Sequence, residues 1–595
     1  MPSLDPSTIV LLTLIGSLVL FFTEALRFEM TALIVVVVLA GSGVLTSTEA
    51  FSGFSSPAVM LIASMYVFGR AVIRWGLAEL AGEKLLKTGA HSEASLCFSV
   101  TLIAALLSTV LSNTGVCAAM IPVVSTVARK RGVPASRLLM PLAFGSLLGG
   151  TVTVIGTSSN IALNGILLER GLEGFGLFEF SRIGIVLVLL GSLYFLGPGR
   201  LLLPRRRVDE SLTDHYQIPK FVTEILVEPS SNLINRSVID LPHFERYGIT
   251  VLSIVRSDID ASVIAPGPYN RVRPDDVLIV QGEPDALLRM RQDLGLRERE
   301  SVTVGDTRLD SADVQLVEAV IPVNSPLAGQ TLVESDFRGS TGLNVLALSK
   351  KGDLHPTQIG QTRLNTGDTL LIQGHRRDVE RARQRREVLV LTELEAPPIG
   401  RGAMITLALL AFVLLAAAFN IVPLEVAALF GALGLVLTRC VTAEDALRSI
   451  DWPIVILVGG MLALGAGFNK SGLGESVAML FGDMHDANPR WALLALLVAT
   501  ASLTQLTNNV ASVSIMTPIA LAMAQQGGLA ARPMLVGVLV GASMAFMSPV
   551  GHQSNAMVAG PGDYRFKDYL RVGTPLTIFL CLAAWVLIPL MWDLR

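Results

Sequence analysis

Charge is what this chain has least of. Only 16% of its 595 residues are Asp, Glu, Lys or Arg, where a soluble globular chain carries about 25%. That shortfall excludes an ordinary soluble protein of this length. Cysteine is scarce as well. Cys97, Cys117, Cys440 and Cys581 all sit in apolar segments without paired spacing, which excludes a disulfide framework or a cysteine metal site and leaves four small buried hydrophobes. A formal net charge of −3 with no long basic run gives no footprint for nucleic acid. No nucleophile–base pair or metal-ligand spacing stands out, so an enzyme is not expected.

What the chain does have is apolar runs of about 20 residues, long enough to cross a bilayer. Spans are predicted near 8–26, 29–46, 56–74, an interrupted pair at 95–128, an interrupted span at 138–168, and 182–203. They resume near 403–419, 422–440, 453–469, an interrupted pair at 490–524, another interrupted span at 533–562, and 574–592. The first run, Thr8 to Thr23, follows Asp5 rather than a basic stretch and lacks a clear cleavage site. It reads as a retained span and not as a signal peptide. The expectation is a polytopic α-helical membrane protein with two apolar blocks, 1–203 and 397–595.

The two blocks are copies. Pro57 matches Pro453 at a shift of 453 − 57 = 396, and Gly76-Leu77 with Gly472-Leu473 and Pro122 with Pro518 keep the same shift. Gly156-Thr-Ser-Ser-Asn160 matches Gly551-His-Gln-Ser-Asn555 at 395. Each block carries a polar knot inside an apolar run: Ser112-Asn113-Thr114 in the first and Thr507-Asn508-Asn509 in the second. Alignment on the prolines places Ser108 on Thr504, Ser112 on Asn508 and Asn113 on Asn509. It keeps a hydroxyl one helical turn before each tip. The loop after the first tip holds Arg129, Lys130, Arg131 and Arg137, while its counterpart offers only Arg532. By the positive-inside rule the first loop is cytoplasmic and the second external, so the repeats are inverted.

Polar side chains at membrane depth are costly unless an ion, water or protein group satisfies them. The four interrupted segments contain no Asp or Glu, whereas a cation carrier or proton pump would place a carboxylate there. Interrupted helices free backbone N–H groups for an anion and carbonyls for a sodium ion. Gly156-Thr157-Ser158 and Gly551-His552-Gln553 are expected to face the tips. His552 is the one histidine of seven inside an apolar span; it can donate to an anion or serve only as a packing residue. Ser, Thr, Gly and Asn also pack membrane helices, and duplication at a fixed offset is what raises the tips above that reading.

The polar middle splits into two similar units, 204–300 and 301–396. Glu224-Ile-Leu-Val aligns with Glu318-Ala-Val-Ile, Val251-Leu252 with Val345-Leu346, and Asp276 and Gly282 with Asp368 and Gly374. Short β-branched runs with helical tails at Ala286–Leu294 and Asp378–Arg386 predict two small α+β modules. Arg205-Arg206-Arg207 places them in the cytosol. Neither has a Gly-x-Gly-x-x-Gly after a strand, so no dinucleotide fold is indicated.

The paired tips and broken helices resemble the divalent anion/sodium symporter family, and the modules look like TrkA-C (RCK-C) domains. The resemblance implies two inverted repeats with re-entrant hairpins and unwound helices, an elevator motion and a homodimer in the inner cell membrane. It assigns Ser108, Ser112, Asn113 and Gly156 to one sodium site and Thr504, Thr507, Asn509 and Gly551 to the other. Ser112, Asn113, Thr114, Thr157, Asn508, Asn509, His552 and Gln553 match its substrate positions. The chain departs from the family pattern at Val510, where a tip hydroxyl is lost, and at Thr157-Ser158 and His552-Gln553, which replace Thr-Pro. Sodium-coupled sulfate symport is the leading expectation. C4-dicarboxylate symport, an aspartate/alanine-type exchanger, and a membrane anion sensor whose modules bind a small effector remain alternatives.

Overall fold

The computed structural model describes the chain outside residues 1–4, 24, 78–79, 81–91, 207–221, 230, 232, 237–248, 257–261, 265–270, 282–296, 299–313, 324, 351–352, 356–358, 386, 392–399, 420 and 474–488. The helical tail expected at Ala286–Leu294, together with Gly282 and Arg207, lies outside the described residues.

The first block opens with α1 (Pro6–Thr23), α2 (Phe28–Gly41), the short α3 (Ser47–Ser52) and α4 (Pro57–Arg74). Thr46 caps α3 in a reciprocal box with Glu49, and Pro57 opens α4, where its missing N–H costs nothing. Next comes a helical hairpin, α5 (Glu93–Ser108) and α6 (Asn113–Arg131), broken at 109–112. Ser112 caps α6 by accepting from the Gly115 N–H, and Gly132 ends it at φ 64°. Helix α7 (Leu139–Gly149) stops in mid-run, the backbone unwinds over 150–157, and α8 (Ser158–Glu169) resumes before α9 (Ser181–Leu196) and a single helical turn at Gly199–Leu202 close the block.

Among the described residues the middle region holds two five-stranded antiparallel sheets. Strands β1 (Val222–Leu226), β2 (Thr250–Arg256), β3 (Ser262–Ile264), β4 (Val277–Gln281) and β5 (Arg297–Glu298) run in the order 3-2-4-1-5. Strands β6 (Val314–Val320), β7 (Asn344–Lys350), β8 (Asp353–His355), β9 (Thr369–His375) and β10 (Leu389–Val390) take the order 8-7-9-6-10, the same path. The duplication extends to a bulge at Val251/Ser253 in one sheet and at Val345/Ala347 in the other. The helical tail of the second module is α10 (Arg376–Gln384).

The second block has α11 (Arg401–Ala418), α12 (Leu424–Leu437), α13 (Ala443–Ser449) and α14 (Trp452–Lys470). Then α15 (Pro489–Leu503) and α16 (Asn509–Gly527) form the second hairpin, broken at 504–508. Asn508 caps α16 through the Ala511 N–H, and Gly528 ends it at φ 57°. Helix α17 (Ala531–Ala542) unwinds over 543–552 into α18 (Gln553–Ala559), and α19 (Phe566–Met591) ends the chain's helices. Among the described residues, the segment Ser47–Arg74 and helices α11, α14 and α19 are long and apolar enough to cross a membrane by length and composition.

Two apolar cores divide these helices. One joins α1, α2, α4 and α11 to α14 through residues such as Leu39, Phe68, Leu435 and Met461. The other joins the two hairpins and their broken partners through Phe144, Leu148, Leu497, Phe546 and Tyr569. Val320 and Leu391 of the second module belong to this hairpin core.

Candidate functional site

Each break is stapled by an asparagine. Asn160 donates its amide to the carbonyls of Gly150 and Thr153 (2.8 and 2.9 Å), and Asn555 donates to Ala545 and Ser548 (2.7 and 2.9 Å). Carbonyls that lost their helical donors are thereby paired, which lets an unwound stretch persist in an apolar interior. Tip and break then meet backbone to backbone. A Cβ at Gly156 would lie 3.0 Å from the Ser108 carbonyl, and one at Gly551 would lie 3.0 Å from the Thr504 carbonyl. A side chain at either position would press on the facing carbonyl, so this close approach favours glycine at both.

The tips are tied by matching bonds. Ser108 Oγ donates to Asn113 Oδ1 at 2.8 Å, and Thr504 Oγ1 lies 2.9 Å from both Asn509 Oδ1 and the Ala542 carbonyl. The register set on the prolines is therefore the one these bonds follow. Each hairpin also crosses to the other copy, with α16 packing on α8 and α18 on α6. At that crossing Asn113 Nδ2 lies 3.5 Å from His552 Nε2, and Thr114 Oγ1 donates to Gln553 Oε1 at 3.3 Å.

One cavity of about 1460 Å³ gathers these groups. Its walls include Ser112, Asn113, Thr114, Gly156, Thr157, Asn508, Asn509, Gly551, His552 and Gln553. Ser108, Thr504 and Thr507 sit behind the tips, fully or almost fully buried. Thr507 Oγ1 lies 2.7 Å from Ser512 Oγ and donates to the Leu503 carbonyl at 3.1 Å. Among the described residues of the tips and breaks none is charged. The charged residues that line the cavity, Arg27, Glu29, Arg70, Asp368, Arg385, Asp445, Arg448, Asp451 and Arg565, belong to other segments. Among the described residues no group of three or more His, Cys, Asp and Glu is placed to hold a metal ion. A cation at the tips would be held by neutral oxygens, a hard-ligand set that suits sodium.

His552 is held in one tautomer. Its Nδ1 accepts from the Ser554 N–H at 3.1 Å, so the ring is uncharged there and its proton sits on Nε2, facing Asn113.

The citrate transporter family model matches residues 18–541 and 487–594. The chain belongs to that family. Its members are membrane transporters and not enzymes, and this is a multi-pass membrane protein. The chain is 32% identical to an uncharacterized transporter of Synechocystis, over 98% of this chain and 97% of the relative. It is 33% identical to the uncharacterized transporter YfbS of Escherichia coli, over 98% of both. Sodium/sulfate cotransporter 2 of Chlamydomonas reinhardtii is 26% identical over 61% of this chain and 42% of its own length.

All eight substrate candidates of this family member thus line one cavity, and the deeper sodium candidates flank it. Two features were not anticipated as functional. The Asn160 and Asn555 staples appeared in the sequence only as repeat markers at the 395 offset, and that offset was the available signal. The second module's turn Asn365-Thr366-Gly367-Asp368 lines the same cavity, and nothing in its sequence pointed there.

Proposed function

We infer that the protein is a secondary transporter coupling a divalent oxyanion, sulfate above others, to sodium. Five side chains carry the reading. Asn113, Asn508, Asn509 and Gln553 each have the amide oxygen engaged by a neighbour, and His552 has its Nδ1 engaged. Each has an N–H left to offer, beside an oxygen or ring nitrogen already turned to a neighbour. Asn113 Nδ2 and His552 Nε2 confront each other with no acceptor between them, and the buried Asn509 Nδ2 has no partner. Buried donors without acceptors are unfavourable by about 1–3 kcal/mol each. Oxygens of an anion would satisfy several at once.

With no fixed cation at the tips, the dianion's charge is balanced by co-bound sodium. Ser108, Ser112, Asn113 and Gly156 hold one ion, and Thr504, Thr507, Asn509 and Gly551 the other. An amide oxygen has two lone pairs, so one hydrogen bond leaves it able to ligate a cation. Ser112, Asn113, Thr114, Thr157, Asn508, Asn509, His552 and Gln553 hold the anion. The relatives named for sodium/sulfate cotransport support this choice. The repeats run in opposite senses across the inner membrane of the cell, and the hairpin body moves as an elevator against the other body within a homodimer. The two modules are cytoplasmic TrkA-C-like domains that take a small effector.

A second reading, a C4-dicarboxylate or citrate as substrate, draws on the family match and on a cavity far larger than sulfate requires. The test is uptake of radiolabelled sulfate, succinate and citrate by purified protein in liposomes, with a sodium or a choline gradient. Sodium-driven sulfate accumulation is expected. Uptake that ignores sodium removes the coupling, and binding without accumulation leaves only a sensor.

A further inference from the structure

The turn Asn365–Asp368 ahead of β9 abuts the helix that carries His552 and Gln553. A Cβ at Gly367 would clash with the Ala556 carbonyl oxygen, and a Cβ at Gly560 would clash with the Gly367 carbonyl and with Thr369 Oγ1. Ala556 lies one helical turn beyond His552, and Gly560 ends α18. Two glycines therefore let separate parts of the chain touch backbone to backbone.

The turn alone does not demand this glycine. Gly367 has φ 87°, and the matching position of the first module, 367 − 92 = 275, is Asp275 at φ 62°. The surrounding bonds are the same in both modules. Asp275 N donates to Val227 O and Gly367 N to Ile321 O; Val227 N donates to Asp276 O and Ile321 N to Asp368 O. Asp276 and Asp368 each accept, through Oδ2, the N–H three residues earlier. An aspartate thus makes this turn in the first module, where its side chain is exposed. Other contacts anchor the second module to the same body: Arg129 donates to the Leu391 carbonyl, and Val320 and Leu391 share the hairpin core.

We propose that the turn 365–368 of the second module is the seat of α18, and that Gly367 and Gly560 are positioning residues for His552 and Gln553. The module then travels with the hairpin body as one unit, and any change in its sheet reaches the anion site through two turns of helix. This rests on the transport reading only for its functional consequence; the seat itself is a contact within the chain.

The test replaces Gly367 with the residue the first module uses there. Gly367→Asp keeps the turn and fills the seat. Sodium-driven sulfate uptake should show KM raised about tenfold or more, because small misplacements of contacting groups are amplified in this way. Asp275→Gly, the reverse exchange in the first module, should leave KM unchanged. Hydrogen–deuterium exchange of full-length protein should be faster over 553–560 in Gly367→Asp, with the melting temperature kept as the check on folding. Gly560→Ala should repeat both effects. Unchanged exchange over 553–560 overturns the seat, and unchanged KM with faster exchange overturns the positioning role. If the parent protein accumulates no anion, the transport reading fails, while the exchange measurement still decides the seat.

Discussion

Ser108 Oγ donates to Asn113 Oδ1 across 2.8 Å, and this one hydroxyl decides which end of the Asn113 amide meets His552. With the oxygen held, the NH₂ must face the ring. Ser108→Ala releases the amide to turn its oxygen outward and places an acceptor where an anion is to bind. Loss of a single such bond is worth about 1 kcal/mol, or roughly fivefold in affinity. Sulfate KM should rise by that factor in Ser108→Ala and stay near the parent value in Ser108→Thr. Equal KM values in all three proteins would remove the orienting role.

Arg137 is 3% exposed and holds three segments together. Its Nε donates to Glu93 Oε1 at 2.7 Å, and Nη1 donates to the carbonyls of Leu203 and Arg200. Deleting the guanidinium leaves the half-buried Glu93 carboxylate with only its longer pair to Arg205 at 3.6 Å and two carbonyls without that donor, a loss of about 3 kcal/mol. Arg137→Ala should lower the melting temperature in detergent far more than Glu93→Gln. Arg137→Lys should also destabilise, since an ammonium cannot reproduce the planar fork. The double variant Glu93→Ala/Arg137→Ala should fall short of the sum of the single losses.

The interrupted helices were legible because polar residues broke apolar runs at the same offset twice, and the structure places helix ends at Ser108, Asn113, Leu503 and Asn509. The modules were legible for the same reason, since Asp276 and Asp368 recur and both serve as caps of their own turns. The staples were not. Asn160 reaches carbonyls ten and seven residues back, a pairing that exists only once the helix has unwound. The seat was beyond reach too. Gly367 reads as an ordinary turn glycine, and its partner Ala556 is 556 − 367 = 189 residues away.

Glu387, half-buried in the second module, has an Oε2 without a hydrogen-bond partner, and burial raises its pKa above 4.5. A carboxyl whose folded pKa is raised contributes stability that is present below about 4.5, its ordinary value, and lost as pH rises through the folded value. At neutral pH the ionised group is therefore a burden. Glu387→Gln should raise the melting temperature of the full chain at pH 7.5 and lose that advantage near pH 4. A difference independent of pH would show that ionisation of Glu387 is not its source.

Hydrogen phosphate separates donors from charge at the anion site. At pH 7.5 to 8 it matches sulfate in charge and shape but carries a proton of its own. The amide oxygens of Asn113, Asn508, Asn509 and Gln553 and the Nδ1 of His552 are each turned to a neighbour already, and the second lone pairs of Asn113 and Asn509 go to sodium on the coupled reading, so what these five side chains turn toward an anion is mainly N–H. A P–OH facing N–H leaves both donors unpaired, which is worth about 1–3 kcal/mol. Phosphate should therefore inhibit sulfate uptake at least about tenfold less well than selenate, which has no proton to place. His552→Gln puts an amide where Nε2 stood and can turn an oxygen toward the ligand, so it should narrow the gap between the two inhibitors. Equal inhibition of the parent protein by phosphate and selenate would mean that the N–H groups of these five side chains do not govern which anion is held.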